Sequence, residues 1–261
     1  MMLAGKNALI TGSTSGIGKA MAEALASAGA NVVLNGFGEP GTIEKQRAAL
    51  EENYRVKASY QPADMAKPEE IEAMMAAAAK EHGRIDILIN NAGIQHVADI
   101  ADFPPERWDA IIAINLSSAF HTTRLALPAM RQAGWGRIIN VASVHGLVAS
   151  KHKSAYVAAK HGIIGLTKAT ALDAAGSRVT CNAICPGWVL TPLVQQQVDA
   201  LAEQEGLDQE SAKSRLVSEK MPSGEFATAE QIAALTLFLC GPNAAQINGA
   251  SLPIDGGWTA Q

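Results

Sequence analysis

The stretch SVHGLVASKHKSAYVAAK, from Ser143 to Lys160, gathers three serines, two histidines, three lysines and a tyrosine into an otherwise apolar chain. A hydroxyl, an imidazole and an ammonium suit either nucleophilic attack or proton transfer. Attack by Ser143 is disfavoured, because no Gly-x-Ser-x-Gly elbow surrounds it and His145 stands only two residues away. Tyr156 and Lys160 are four apart, which on a helix puts both side chains on one face. Such a pair is either an ordinary solvated face or an acid–base pair, and spacing leaves both open. His145 follows a strand end and is expected at a pocket mouth. Lys153 opens the helix of Tyr156, where a basic side chain beside a helix N-terminus suits a carboxylate. Lys151 and His152 are expected to face water.

A second cluster is built of backbone rather than side chains. Thr11-Gly-Ser-Thr-Ser-Gly-Ile-Gly18 follows a short apolar run, Asn7–Ile10, and opens an alanine-rich helix. Gly12 permits the tight turn, Gly16 lets backbone approach a pyrophosphate, and Gly18 allows close helix–strand packing. The helix N-terminus then offers free N–H groups to phosphate. An ordinary βα turn is the bland alternative. The position directly after the first strand favours a dinucleotide.

The elements that must hold these clusters alternate. Strands are expected at Asn31–Leu34, Val56–Tyr60, Ile85–Ile89, Arg137–Ala142, Val179–Cys185 and Ala250–Ile254. Helices are expected at Lys19–Ala28, through the forties, from Pro68 to Gly83, at Pro105–Met130, Ser154–Ala174 and Gln231–Leu239. Alternation implies a mostly parallel sheet with helices on both faces. The polar, glutamine-rich segment 190–220 reads as a pair of surface helices or a lid.

Composition narrows the class. With 261 residues, 48% hydrophobic and 18% charged, the chain suits one α/β domain and not a disordered one. A net charge of −4 gives no reason to expect nucleic acid. Cys181, Cys185 and Cys240 lack zinc spacing and are expected as buried thiols, so no metal site is expected. No secretory leader or membrane-length apolar run is present, so a cytoplasmic protein without a membrane partner is expected.

The Gly-x-x-x-Gly-x-Gly spacing resembles that of the short-chain dehydrogenase/reductase family. Asn90-Asn91-Ala92-Gly93, Asn115, Ser143, Tyr156-x-x-x-Lys160 and Pro186-Gly187 with Thr191 extend the resemblance, in the family's order, along nearly the whole chain. The resemblance implies a single doubly wound Rossmann domain of about seven strands, carrying cofactor and catalytic sites together, and a homotetramer. It makes Asn115, Ser143, Tyr156 and Lys160 the catalytic set. Tyr156 would act as general base, its phenol near pKa ~10 lowered by the Lys160 ammonium and a positively charged nicotinamide. Ser143 would hold the substrate oxygen, and Lys160 the nicotinamide ribose. Asn115 would hold a water on a proton relay, or simply bond backbone. The cofactor positions would be Gly12, Thr14, Ser15, Gly16, Ile17 and Gly18, then Phe37, Asp64 (adenine contact or helix cap) and Asn91, with Pro186, Val189 and Thr191 clamping the carboxamide.

A 2′-phosphate needs a cation near the end of the second strand, and Leu34-Asn35-Gly36-Phe37-Gly38 has none, nor is Ser15 charged. NAD is therefore expected. The usual ribose-binding acid is missing too, so Asn35 or the backbone around Phe37 would serve the 2′-hydroxyl. NNAGIQH, HGLVAS, KSAYVAAKHG, CPGW and DGGW resemble, within the family, a bacterial group that interconverts (R)-3-hydroxybutyrate and acetoacetate. That resemblance assigns Gln95, His145, Lys153 and Gln197 to the carboxylate of a small hydroxy acid, with Gln195 and Gln196 as alternatives in the lid. Trp188 and Trp258 would be apolar walls or ordinary core. The same chemistry on another small hydroxy acid, a polyol or a 3-oxoacyl compound is the alternative.

Overall fold

A computed structural model describes residues 1–260. Seven strands form one sheet in the order β3-β2-β1-β4-β5-β6-β7. They are β1 (Asn7–Ile10), β2 (Asn31–Leu34), β3 (Ala58–Tyr60), β4 (Ile87–Asn90), β5 (Gly136–Val141), β6 (Val179–Pro186) and β7 (Ser251–Ile254). Every pairing is parallel. The strands are short and apolar because both faces are covered. Ala8 and Ile10 face one layer, which includes α1 (Gly16–Ser27) and α9 (Ala229–Cys240). Leu9, Leu88 and Ile138 face the other, with α3 (Pro68–His82), α5 (Ser118–Ala133) and α6 (Ser154–Asp173). Helix α2 (Pro40–Tyr54) lies beside β3.

One expectation changes and another takes definite form. The helical stretch Pro105–Met130 is not continuous: α4 (Pro105–Ile112) and α5 are joined by a π-turn at Ala113–Ser117. The wide turn keeps hydrogen bonding running while it shifts the buried face. The segment 190–220 is two helices, α7 (Pro192–Glu205) and α8 (Gln209–Ser218). They share a small core of Val198, Ala202 and Ala212, distinct from the sheet layers. Cys181, Cys185 and Cys240 are buried free thiols. Among the described residues no helix is long and apolar enough to cross a membrane, and no His/Cys/Asp/Glu group could hold a metal ion.

Polar residues cross the core as a closed chain. Asn90 donates to Asn140 Oδ1 at 2.8 Å, Asn140 donates to Thr167 Oγ1 at 2.8 Å, and Thr122 donates to Asn90 Oδ1 at 2.6 Å. All four are buried, and Asn140 is 0% exposed. The chain ties β4 and β5 to α5 and α6, the elements that carry the catalytic side chains. Asn140→Ala removes two buried hydrogen bonds, leaving Asn90 Nδ2 with a 3.4 Å contact to Thr123 and Thr167 with its bond to the Ile163 carbonyl, so it should cost about 2–4 kcal/mol in denaturant unfolding with an unchanged slope. A loss under about 0.5 kcal/mol would mean that the network is dispensable.

Candidate active site

The chain leaves β1 through Gly12, whose φ is 64°. A Cβ there would lie 2.9 Å from Ala92 Cα, and one on Gly18 would fall on the Gly12 carbonyl. Asn91 Nδ2 donates to the carbonyls of Thr11 and Gly12 at 2.9 and 3.0 Å, so its side chain braces the turn. Ser15 is extended and makes no side-chain cap on α1. The first N–H groups of that helix, at Gly16 and Ile17, therefore remain for an anion in the cleft that both residues line.

That cleft, about 370 Å³, runs along the C-terminal edge of the sheet. Gly12, Thr14, Ser15 and Asn91 line its phosphate region, and Phe37 and Asp64 its adenosine end. Ser143, Tyr156 and Lys160 meet Pro186, Val189 and Thr191 at the other end. Asp64 does not cap α3, whose cap residue is Lys67. It accepts from Ala66 N at 2.9 Å and faces the cleft. Asn35 is not available to a ribose. It is 0% exposed, accepts from Gly12 N at 3.3 Å, and donates to the carbonyls of Gln61 and Ala63, each at 3.1 Å. The backbone at Gly36 and Phe37 is what remains, pinned by Thr14 Oγ1 donating to the Phe37 carbonyl at 2.8 Å.

Ser143 stands just past β5 and begins a 3₁₀ turn, accepting from His145 N at 3.1 Å. Tyr156 is close enough for this hydroxyl to favour its phenolate. Lys160 donates to the Val141 carbonyl at 2.7 Å, and its Nζ lies 5.5 Å from the Tyr156 ring centre. Burial pushes the Tyr156 pKa up, and the Ser143 hydrogen bond opposes it. Burial pulls Lys160 down to about 8, with Cys185 opposing. In the protein alone desolvation therefore wins, and the expected lowering of the Tyr156 pKa is left to Lys160 acting together with the nicotinamide charge. Asn115, in the π-turn, exchanges two 2.9 Å hydrogen bonds with the Ile94 backbone. Its side chain thus braces the loop after β4.

Beyond Tyr156 lies a buried cluster of polar and aromatic side chains, which His145 joins to the Tyr156 ring edge-on at 5.8 Å. Lys153 is only 8% exposed, donates to Gln197 Oε1 at 3.1 Å and sits 4.8 Å over the Trp188 ring. Gln195 is engaged inside the lid with Asp199 and Gln209, and so the structure singles out Gln197. Trp188 and Trp258 pack at 5.7 Å, and Trp258 meets His145 edge-on at 5.4 Å. Asp255 fixes Trp258 by accepting from Thr259 N at 2.9 Å and Thr259 Oγ1 at 2.6 Å. Gln95 Nε2 is buried without a partner. His145 is not at the mouth: it is 4% exposed, and burial first, then the Lys153 charge, drives its pKa to about 3. It is therefore a neutral ring, and Lys153 is the neighbour that can carry charge. That lysine is itself brought to about 8 by burial, with Glu219 opposing and Lys220 reinforcing. Lys151 and His152 are exposed.

Sequence reasoning passed over Thr11. Thr11 Oγ1 accepts from the backbone N–H groups of Asn91 and Ala92, both at 3.0 Å. The only signal was a polar residue at a strand end, which reads equally as a turn.

Comparison with known proteins agrees with this geometry. The family model for short chain dehydrogenase matches residues 6–202. The D-beta-hydroxybutyrate dehydrogenase of Cupriavidus necator is 62% identical over 260 residues, covering 100% of both chains. That of Rhizobium meliloti is 56% identical, covering 98% of this chain and 99% of its own. Among solved structures, the L-sorbose reductase of Gluconobacter frateurii in complex with NADPH and L-sorbose superposes with a TM-score of 0.94 at 30% identity, over 99% of this chain and 98% of its own. Actinorhodin polyketide ketoreductase with NADPH gives 0.91 at 34% identity, over 98% of each chain. The cradle, the Ser143–Tyr156–Lys160 cluster and these matches converge: the chain belongs to the short-chain dehydrogenase family.

Proposed function

We propose that the protein is a NAD-dependent dehydrogenase that interconverts (R)-3-hydroxybutyrate and acetoacetate. The observation that carries this reading is Lys153, a buried cation in the His145–Trp188–Trp258 cluster that adjoins Tyr156, whose only hydrogen-bond acceptor among the described residues is Gln197. A buried ammonium with a neutral partner suits an incoming carboxylate. Gln95 Nε2, without a partner among the described residues, adds a donor, and the two packed tryptophans offer an apolar wall. The names of the two bacterial relatives fit the same substrate.

The residues present fit a dinucleotide. Gly16 and Ile17 would hold the pyrophosphate, the backbone at Phe37 the ribose, Asp64 the adenine, Val189 and Thr191 the carboxamide, and Lys160 the second ribose. When bound, the nicotinamide takes hydride from the alcohol carbon or returns it to the ketone. Ser143 steadies the reacting oxygen. In the ketone-to-alcohol direction Tyr156, held protonated by its own burial, donates the proton; in reverse it accepts it. Lys160 carries its ammonium beside the phenol and stabilises the phenolate that reduction leaves behind. Near the adenosine end Glu39 caps α2, its carboxylate accepting from Gly41 N at 2.8 Å and Thr42 N at 2.6 Å. Of the residues lining the cleft only Lys160 is a cation, and it is at the opposite end. A 2′-phosphate would meet a carboxylate and no cation, which supports NAD. Exposed Trp108 on α4 and Phe120 on α5 support assembly with further copies, a tetramer by family resemblance, and we place the reaction in the cytoplasm.

Three measurements test this. Calorimetric titration should show NAD binding at least about tenfold tighter than NADP, as expected when a phosphate lacks its cation; equal affinity would remove the cofactor assignment. Tyr156→Phe should lower kcat by roughly 10²–10⁴-fold while NAD still binds, the usual worth of a positioned proton donor. Retained turnover would exclude Tyr156 as the proton donor and acceptor. Lys153→Met should raise KM for (R)-3-hydroxybutyrate and leave a neutral secondary alcohol unaffected. Because the ammonium is charged below a pKa of about 8 and neutral above it, the wild-type KM should climb as pH rises through that value. The Lys153→Met KM should be high and flat. A wild-type KM independent of pH would sink the carboxylate role of Lys153.

A further inference from the structure

The Ser143 hydroxyl has one hydrogen, and two groups compete for it. One is the oxygen of Tyr156 or of the substrate; the other is the ring of His145, whose Nδ1 lies 3.4 Å from Ser143 Oγ. At the far side of that ring Nε2 lies 2.8 Å from Ser150 Oγ. We propose that Ser150 is a positioning residue for catalysis: by donating to Nε2 it holds His145 as the Nδ1–H tautomer, and this directs the Ser143 hydrogen to the reacting oxygen. The inference rests on the reading of Ser143 as the group that steadies the substrate oxygen.

A neutral imidazole has one donor nitrogen and one acceptor nitrogen, and the hydrogen bond at one decides the role of the other. If Nδ1 carries the hydrogen, His145 supplies Ser143 Oγ with two donors, this one and its own backbone N–H at 3.1 Å. They fill both lone pairs of the hydroxyl, and its hydrogen must then point elsewhere, to Tyr156 or to substrate. If Nε2 carries the hydrogen, Nδ1 presents a bare lone pair that draws the Ser143 hydrogen inward. The reacting oxygen then loses its donor. The ring cannot evade the choice by turning, because Trp258 and Tyr156 meet it edge-on at 5.4 and 5.8 Å. It also stays neutral, since burial and the Lys153 charge both oppose protonation. The loop that presents Ser150 is tied down two residues later, where the His152 carbonyl accepts from Ala98 N at 3.0 Å.

The test reads the tautomer directly. The full-length protein, labelled with ¹⁵N at histidine and free of cofactor and substrate, should show His145 with a protonated Nδ1 and a bare Nε2. Its signals are assigned by their loss in His145→Asn. In Ser150→Ala the Nδ1–H signal should weaken in favour of Nε2–H. The kcat for (R)-3-hydroxybutyrate should fall roughly ten- to hundredfold, as for a misdirected donor or a wrong tautomer, with KM changed less than about twofold. Ser150→Thr, which keeps the hydroxyl, should restore both the signal and kcat. A wild-type ring protonated at Nε2 would overturn the proposal, as would a wild-type kcat in Ser150→Ala or an effect confined to KM. If the wild type does not turn over (R)-3-hydroxybutyrate, the substrate assignment fails instead. The tautomer measurement, with kcat on whichever secondary alcohol is accepted, still decides the role of Ser150.

Discussion

The site depends on a reversal in the sheet. From β1 the chain runs outward through β2 and β3, then returns to lay β4 on the other flank of β1. Helices following β1 and β4 must therefore depart to opposite faces, which opens a crevice at the strand ends. A gap in an apolar sheet would close or fill with water if nothing held it. Here buried polar side chains hold it: Asn35 reaches from β2 to Gly12 and to the end of β3, and Asn91 and Thr11 lash the β4 exit to the β1 exit. The glycine-rich turn is thus wedged between two asparagines before any ligand arrives, and its N–H groups are aimed by the fold.

Desolvation then sets the chemistry of the residues that surround the crevice. Tyr156, Lys160, His145 and Lys153 are all pulled toward their neutral forms by burial. The extent differs with what each can reach. His145 has only hydroxyls and a like-charged neighbour, and is neutral throughout the working range. The two lysines have carbonyl or amide acceptors and stay near the point where small changes in surroundings switch their charge. A neutral ring, a protonated phenol and two poised ammonium groups divide the labour among residues that look equally polar in the sequence.

Much of this was legible beforehand. Strand–helix alternation located the sheet and its two helical layers, and the glycine spacing the turn after β1, because those follow from hydrophobic period and backbone sterics; the doubly wound order came with the family resemblance. The helix carrying Tyr156 and Lys160 begins at Ser154 as the pattern indicates. What stayed hidden depends on contacts distant in the chain. One extra residue at Ala113–Ser117 leaves the hydrophobic pattern helical while converting a turn to π geometry. Asn115 and Asn35 carry the same amide, and only the fold reveals that both spend it on backbone. The ionisation of His145 depends on being sealed behind Trp258, a residue more than a hundred positions away.

The two lid helices close on Val198, Ala202 and Ala212, with Leu207 and Leu216 against them. This small core ties α7 to α8, while Val194 and Val217, one from each helix, pack with Val144, Trp188 and Trp258 of the body. The pair of helices and the aromatic wall beside Tyr156 therefore share side chains. A substitution at Val194 or Val217 acts on both at once, so the shape of that wall and the seating of the two helices cannot be tuned separately.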